Sequence, residues 1–140
     1  MTLILGGGTP KMARAKPRRL EQSMQIAIFD WIRLHQKQYP QLAYVFAVPN
    51  GGWRSKVEAA IMKRGGVLAG VSDICLPFPG FDLDGQKFPG MYMELKTPGN
   101  PLTDEQERFL HFVSSQGYLA VMCQSFDAAT KRILRFVQRT

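Results

Sequence analysis

The sequence has few of the residues and patterns that define several large protein classes. Its two cysteines, Cys75 and Cys123, lie far apart, and two thiols are too few for a disulfide framework or a cysteine-rich zinc site. No apolar run approaches the roughly 20 residues that span a bilayer. His35 and His111 form no metal-ligand pair, and no Ser/His/Asp or Cys/His arrangement indicates nucleophilic catalysis. The N-terminus lacks the pattern of a secretory signal, so we expect a cytoplasmic location.

Acidic residues are absent from the first 19 positions, which contain five bases. These bases are Lys11, Arg14, Lys16, Arg18 and Arg19. The whole chain has 18 Lys and Arg against 11 Asp and Glu, a net charge of +7, so most of the excess belongs to this segment. We predict a flexible basic arm over residues 1–19 and one domain over residues 20–140. Such an arm can neutralise nucleic-acid phosphates, although a solvated terminus explains the charge equally well.

The apolar pattern predicts an α/β fold in the order helix, strand, short helix, two strands, helix, strand, helix. The first helix is expected from Leu20 to about Gln38, where apolar residues recur at spacings of three and four. The remaining expected elements are a strand at 44–48, a short helix at 54–64, a strand at 67–76, a strand at 91–96, a helix at 104–116, a strand at 118–123 and a helix at 126–138. Residues 77–90 are rich in proline and glycine and are predicted to form a loop.

The chemically informative residues lie in two predicted strands, with Asp73 in one and Glu94, Leu95 and Lys96 in the other. Alternate side chains of a strand share a face, so Glu94 and Lys96 project together and Leu95 points to the core. If the strands pair, Asp73 lies beside Glu94, and adjacent carboxylates repel each other unless a cation separates them. Carboxylate and carbonyl oxygens suit Mg²⁺ or Mn²⁺, and Lys96 can hold a phosphate oxygen. A half-exposed hairpin with surface charges is the alternative.

Five further residues can support such a site, and each also has a structural explanation. Glu21 and Gln25 lie one turn apart on the first helix, where Glu21 can complete the acidic cluster or stabilise the helix N-terminus. Gln106 can contact the site or complete a capping box. Asn50 and Arg54 flank a glycine-rich turn, which can contact phosphates or serve only to reverse the chain.

Together these motifs resemble the VRR-NUC domain, the virus-type replication-repair branch of the PD-(D/E)XK nuclease superfamily. The resemblance covers residues 20–137. It depends on Glu21 with Gln25, Pro-Asn-Gly at 49–51, Gly-Val-Ser-Asp at 70–73, Glu-Leu-Lys at 94–96 and Leu-Thr-Asp-Glu-Gln at 102–106. The superfamily core is helix, three strands, helix, strand (αβββαβ), and the predicted order matches it with an inserted short helix and an added C-terminal helix. Ser72 occupies the position of the proline in the superfamily motif.

The resemblance implies a divalent-metal endonuclease that hydrolyses DNA phosphodiesters. The implied catalytic residues are Glu21, Asp73, Glu94 and Lys96, and the implied ligands of Mg²⁺ or Mn²⁺ are Glu21, Asp73, Glu94 and the Leu95 carbonyl. We expect Gln25, Asn50, Arg54 and Gln106 to support the site or bind DNA.

Stand-alone members of this branch are similar to structure-specific nucleases of DNA repair that dimerise and cut branched DNA such as four-way (Holliday) junctions. The resemblance therefore implies a homodimer that acts on branched DNA. The alternatives are a restriction-like or nicking nuclease on other DNA, and a non-catalytic DNA-binding module.

Overall fold

The computed structural model describes residues 16–49 and 54–138, and a four-stranded sheet lies at its centre. The helices are α1 (Pro17–His35), α2 (Lys56–Arg64), α3 (Asp104–Ser115) and α4 (Phe126–Val137). The strands are β1 (Phe46–Ala47), β2 (Ile74–Leu76), β3 (Gly80–Phe81), β4 (Lys87–Phe88), β5 (Met91–Leu95) and β6 (Leu119–Cys123). The expected α/β fold with its αβββαβ core, inserted short helix and C-terminal helix is confirmed.

The central sheet has the order β1-β2-β5-β6. Strands β1, β2 and β5 pair antiparallel, whereas β5 and β6 run parallel. A parallel pair needs a crossover connection, which α3 provides. Strand β5 runs antiparallel to β2 and parallel to β6. The first residue of β2 and the last residues of β5 and β6 therefore lie at the same end of the sheet. Residues 73, 94 and 122 therefore lie side by side across the three strands.

The main core lies between one face of this sheet and the helices α1 and α4. The side chains of Met91, Met93 and Leu95 point into it, as the strand alternation predicts. Helix α1 contributes Ile28 and Ile32, and α4 contributes Ala129, Ile133 and Phe136. Helix α3 covers the opposite face, where the rings of Tyr92 and Phe109 meet edge to face with centroids 5.4 Å apart.

Helix α1 begins and ends three residues earlier than predicted. Pro17 occupies its first turn, a position where the missing N–H costs nothing and the fixed φ suits a helix. Arg18 and Arg19 therefore belong to α1. At the other end, the ring of His35 stacks on that of Trp31 with centroids 4.0 Å apart. The His35 Nδ1 atom also forms a hydrogen bond of 2.7 Å with the Trp31 carbonyl oxygen. None of the described helices is long and apolar enough to cross a membrane.

Two predicted strands are shorter than the sequence indicated. The strand expected at 44–48 contains only β1, because Pro40–Tyr44 forms a 3₁₀ helix, and Tyr44 is 74% exposed rather than buried. The strand expected at 67–76 contains only β2. Gly66 and Gly70 adopt φ values of +98° and +90°, and this left-handed backbone turns the chain out of the extended conformation.

The prediction of a loop over residues 77–90 is wrong, because β3 and β4 form a separate hairpin. Asp82 shapes its turn: the Oδ1 atom accepts two backbone N–H bonds, one of them from Gln86 at 2.8 Å. The hairpin lies against α4 so closely that a Cβ atom at Gly80 would be 2.3 Å from Phe136. The segment therefore closes the core over α4.

Candidate active site

Two carboxylates, those of Asp73 and Glu94, lie side by side where β2 and β5 pair. Ile74 is opposite Met93 in the register, so Asp73, one residue before β2, is level with Glu94. The Asp73 Oδ2 atom accepts a hydrogen bond of 2.8 Å from the backbone N–H of Leu95. This bond holds the Asp73 carboxylate against β5, next to the Glu94 side chain.

Glu94 is buried in a way that leaves one of its oxygens without a partner. The residue is 2% exposed, and its Oε1 atom accepts a hydrogen bond of 3.0 Å from Gln106 Nε2. Its buried Oε2 atom accepts no hydrogen bond from the described residues; a hydrogen bond to the neighbouring Asp73 carboxylate forms only when Glu94 is protonated. Burial raises the pKa of Glu94 to about 9, and the charge of Asp73 raises it in the same direction. A buried acid beside a second acid is unfavourable when ionised unless a cation compensates it, so this pair has the chemistry of a cation site.

Lys96 adds a fixed positive charge to the two acids. It is 6% exposed, and its backbone N–H donates to the Cys123 carbonyl at 3.0 Å, which joins the end of β5 to the end of β6. Burial raises the pKa of Glu94, whereas the Lys96 ammonium lowers it, so the ammonium is within electrostatic reach of that carboxyl. A preorganised ammonium in a buried position can stabilise negative charge that develops on a reacting phosphate.

Glu21 approaches the acid pair from α1. Its Oε1 atom accepts a hydrogen bond of 2.8 Å from Asn100 Nδ2. Burial and Asp73 are the main causes of the raised pKa of Glu94, and the Glu21 charge adds to them. Gln25 is half-buried one turn further along α1. Sequence reasoning missed Asn100: its signal is an Asn-Pro pair four residues after Lys96, just before the helix predicted at 104–116.

The carboxylates of Glu21, Asp73 and Glu94 are not close enough together to form a complete three-ligand metal site. Among residues 16–49 and 54–138, no group of three or more His, Cys, Asp or Glu side chains is arranged to hold a metal ion. Asp73 and Glu94 nevertheless fit a hard divalent cation, because they are adjacent carboxylates and one of them has an unsatisfied buried oxygen. Glu21 lies nearby with one oxygen engaged by Asn100, and its role as a third ligand stays a prediction.

Gln106 satisfies both interpretations of its motif. Its backbone N–H donates to Thr103 Oγ1 at 3.2 Å, and its Oε1 atom accepts from the Thr103 N–H at 2.9 Å, which completes the capping box at the start of α3. Its Nε2 atom is then directed to Glu94. The cap therefore fixes the side chain that orients the Glu94 carboxylate.

The last two predicted residues, Asn50 and Arg54, follow β1 in the sequence. Asn50 falls outside the described residues. Arg54 is exposed and lines a cavity of about 520 Å³ together with Gln106. The structure thus brings Arg54 to the same side of the molecule as the acid pair, without a described contact to it.

Comparisons with known proteins agree with this fold. The family model of the VRR-NUC domain matches residues 14–127, a range that includes every candidate residue. A solved structure described as "VRR_NUC domain protein" superposes with a TM-score of 0.65 at 23% sequence identity, over 84% of this chain and 87% of that chain. At this identity the likeness shows the fold. No curated protein matches the chain.

Proposed function

The chain belongs to the VRR-NUC family, and from that premise we propose that it is a divalent-metal-dependent DNA endonuclease. The family implies a nuclease of the PD-(D/E)XK type, a class of enzyme that generally uses divalent metal ions. The observation that carries the proposal is the pair of acids in which a buried Glu94 lies beside a half-buried Asp73, with the buried Lys96 two residues further along β5. A protein that only bound DNA would gain nothing from two carboxylates turned towards a polyanion.

In the proposed mechanism, Asp73, Glu94 and the Leu95 carbonyl would hold Mg²⁺ or Mn²⁺, with Glu21 as a further ligand. When bound, such an ion polarises a phosphoryl oxygen and provides a nucleophile at neutral pH. The protein holds these carboxylate side chains in position for the metal ion. Strand pairing places Asp73, Gln106 orients Glu94, and Asn100 orients Glu21.

Lys96 acts on the phosphate and on the attacking water. The pairing of β5 with β6 holds the backbone of Lys96 next to the acids, and its ammonium is within electrostatic reach of Glu94. From there it holds a phosphate oxygen and stabilises the negative charge that grows as water attacks phosphorus and the bond to the departing oxygen breaks. Gln25, Asn50 and Arg54 support this arrangement or bind the DNA around it.

We further propose that the substrate is branched DNA, such as a four-way junction, and that the enzyme acts as a homodimer in the cytoplasm. A two-fold dimer presents two active sites, which suits the symmetry of a junction. The basic segment that includes Lys16, Arg18 and Arg19 supplies positive charge at the start of α1. Cys75 and Cys123 are buried and free, which agrees with a reducing compartment.

A substrate and metal panel tests the proposed function. Linear, flapped and four-way DNAs of equal length are incubated with Mg²⁺, Mn²⁺, Ca²⁺ or EDTA. We expect cleavage with Mg²⁺ and Mn²⁺, binding without turnover with Ca²⁺, no cleavage in EDTA, and a rate on the junction about tenfold above that on linear duplex, equivalent to about 1.4 kcal/mol. A parallel preparation of Asp73→Asn controls for contaminating nuclease.

Each contrary result of that panel has a specific meaning. Robust cleavage in EDTA would contradict the metal-dependent mechanism. Equal cleavage rates on all three DNAs would agree with a nuclease but contradict the proposed preference for branched DNA. Tight binding of DNA without cleavage under any divalent ion would make the protein a DNA-binding module.

A further inference from the structure

A cavity of about 520 Å³ adjoins the acid pair on the side of α2. It lies between α2, residues 65–71 and the start of α3, and its lining includes Arg54, Lys63, Leu68 and Gln106. Gln106 also donates a hydrogen bond to Glu94, so this side chain is common to the cavity and to the proposed active site. A ligand in the cavity would therefore lie next to a phosphate held at Asp73 and Glu94.

An apolar loop forms one rim of this cavity. Helix α2 ends in a Schellman motif, in which Gly66 donates to the Lys63 carbonyl at 3.1 Å and Val67 donates to the Met62 carbonyl at 3.0 Å. Such a motif commonly carries a hydrophobic residue at the position of Val67, so the cap explains Val67. It does not explain the next residue, Leu68, which is 61% exposed.

The loop is held firmly against α3 at its other end. Gly70 has φ +90°, and a Cβ atom there would lie 2.5 Å from the Glu105 carbonyl. That close approach fixes the position of Leu68 relative to the start of α3, which carries Gln106. The loop is therefore a fixed apolar projection, anchored by the Schellman motif at one end and by Gly70 at the other.

The surroundings of Leu68 are basic. Residues 54–64 contain four bases (Arg54, Lys56, Lys63 and Arg64) and one acid (Glu58). Arg54 and Lys63 line the cavity; the acid Glu105 also lines it, and its carboxylate is 3.7 Å from Arg108. Phosphates match the bases, and a nucleobase matches the apolar rim. Charge complementarity thus favours nucleic acid as the occupant.

We propose that Leu68 is an apolar wedge that contacts a nucleobase displaced from its stack, and that the adjoining cavity receives the displaced nucleotide. Apolar side chains that insert at base steps unstack DNA in other nucleic-acid-binding proteins, and a cavity of this size is in the range that accepts small ligands. The inference depends on the proposed function, because it places the unstacked base next to the phosphate that is cut. It defines the substrate class as DNA with unpaired or easily unstacked bases at the cleavage position.

Fluorescence of 2-aminopurine tests the wedge without cleavage. A forked duplex carries 2-aminopurine at the branch, and binding is measured with Ca²⁺, which keeps the DNA intact. We expect wild-type protein to raise the fluorescence severalfold, and Leu68→Ala to remove this rise and weaken binding of the fork about tenfold. Binding of a fully paired duplex should change less than twofold. Leu68→Met keeps an apolar side chain of similar length, so this variant should still raise the 2-aminopurine fluorescence.

Leu34→Ala is the matched control, because Leu34 is an 81% exposed leucine on α1. It should bind and unstack the fork like the wild type, and thermal melts of both alanine variants should match that of the wild type. Light scattering should give the same mass for Leu68→Ala and wild type. A mass that falls in Leu68→Ala would overturn the proposal, because it would assign the loop to contact between two copies of the chain.

The wedge and the proposed function fail in different ways. A normal fluorescence rise and normal affinity in Leu68→Ala, or equal losses in Leu34→Ala, would overturn the wedge even if the enzyme cleaves DNA. The absence of cleavage by the wild type with Mg²⁺ or Mn²⁺ would overturn the nuclease, while a response to 2-aminopurine that depends on Leu68 would still support the wedge as a DNA contact.

Discussion

Lys96→Met is expected to lower kcat for DNA cleavage by about 10²–10⁴-fold, the range seen when one electrostatic or proton-transfer group is removed from an active site. Methionine keeps the length and the apolar stem of the buried side chain and removes only the charge. The fold should persist, because Lys96 is tied into the sheet by its backbone N–H. Single-turnover cleavage of the junction measures the effect.

Metal affinity separates this role from that of a ligand. A positive charge beside a cation site opposes metal binding, so Lys96→Met should bind Mn²⁺ as tightly as the wild type or more tightly. Lys87→Met is the control, since Lys87 is an exposed lysine on β4, away from the acid pair. If Lys96→Met does not fold, the role of Lys96 is structural. If the variant folds and cleaves DNA at the wild-type rate, Lys96 has no role in the proposed mechanism.

Glu94→Gln is expected to abolish cleavage and to stabilise the metal-free protein. Glutamine preserves the shape and can still accept the hydrogen bond from Gln106, but it carries no buried charge beside Asp73. At pH 8, about 3.5 pH units above the ordinary pKa, we expect a gain of up to about 5 kcal/mol in the free energy of unfolding, with a correspondingly higher Tm. Cleavage should fall by about 10³-fold or more, because a proposed metal ligand is lost.

The pH dependence of this gain follows from the direction of the pKa shift. Burial and the Asp73 charge raise the pKa of Glu94 to about 9 in the folded protein, from an ordinary value of 4.5. Between these pH values the folded state binds more protons than the unfolded state, so wild-type stability is fully present below pH 4.5 and is lost as pH rises towards 9. The stability difference between Glu94→Gln and wild type should therefore increase over this range.

Thermal melts from pH 5 to 9, without divalent ions, measure that increase. Glu107→Gln, at an exposed position on α3, should follow the wild-type curve closely. A constant difference between Glu94→Gln and wild type across the range would mean that Glu94 does not titrate as its burial requires.

The strand that carries the chemistry could be predicted from the sequence because two signals agreed there. Met91, Met93 and Leu95 alternate with polar positions, and a strand places such residues on one buried face. Glu94 and Lys96 then had to share the other face. The pairing of β2 with β5 placed Asp73 beside Glu94, which the spacing alone allowed but did not require.

The parts that could not be predicted depend on local backbone geometry. An aromatic, apolar run at 44–48 indicated a strand, but Pro40 starts a 3₁₀ helix that occupies the first of these residues. Asp82 closes a hairpin through its own side chain, and such a turn has little signal in a segment full of glycine and proline. The contact of Asn100 with Glu21 joins residues 79 positions apart, so it depends on tertiary packing that no local pattern reports.

The central claim is that Asp73 and Glu94 bind one divalent cation between them, and the most direct measurement is Mn²⁺ binding followed by electron paramagnetic resonance. We expect the wild type to bind at least one Mn²⁺ per chain, and Asp73→Asn to lose that site while staying folded, with a melting temperature at or above that of the wild type because the charge that repels Glu94 is removed. Asp30→Asn, at an exposed acid on α1, should bind like the wild type. Equal Mn²⁺ binding by the wild type and Asp73→Asn would contradict the account.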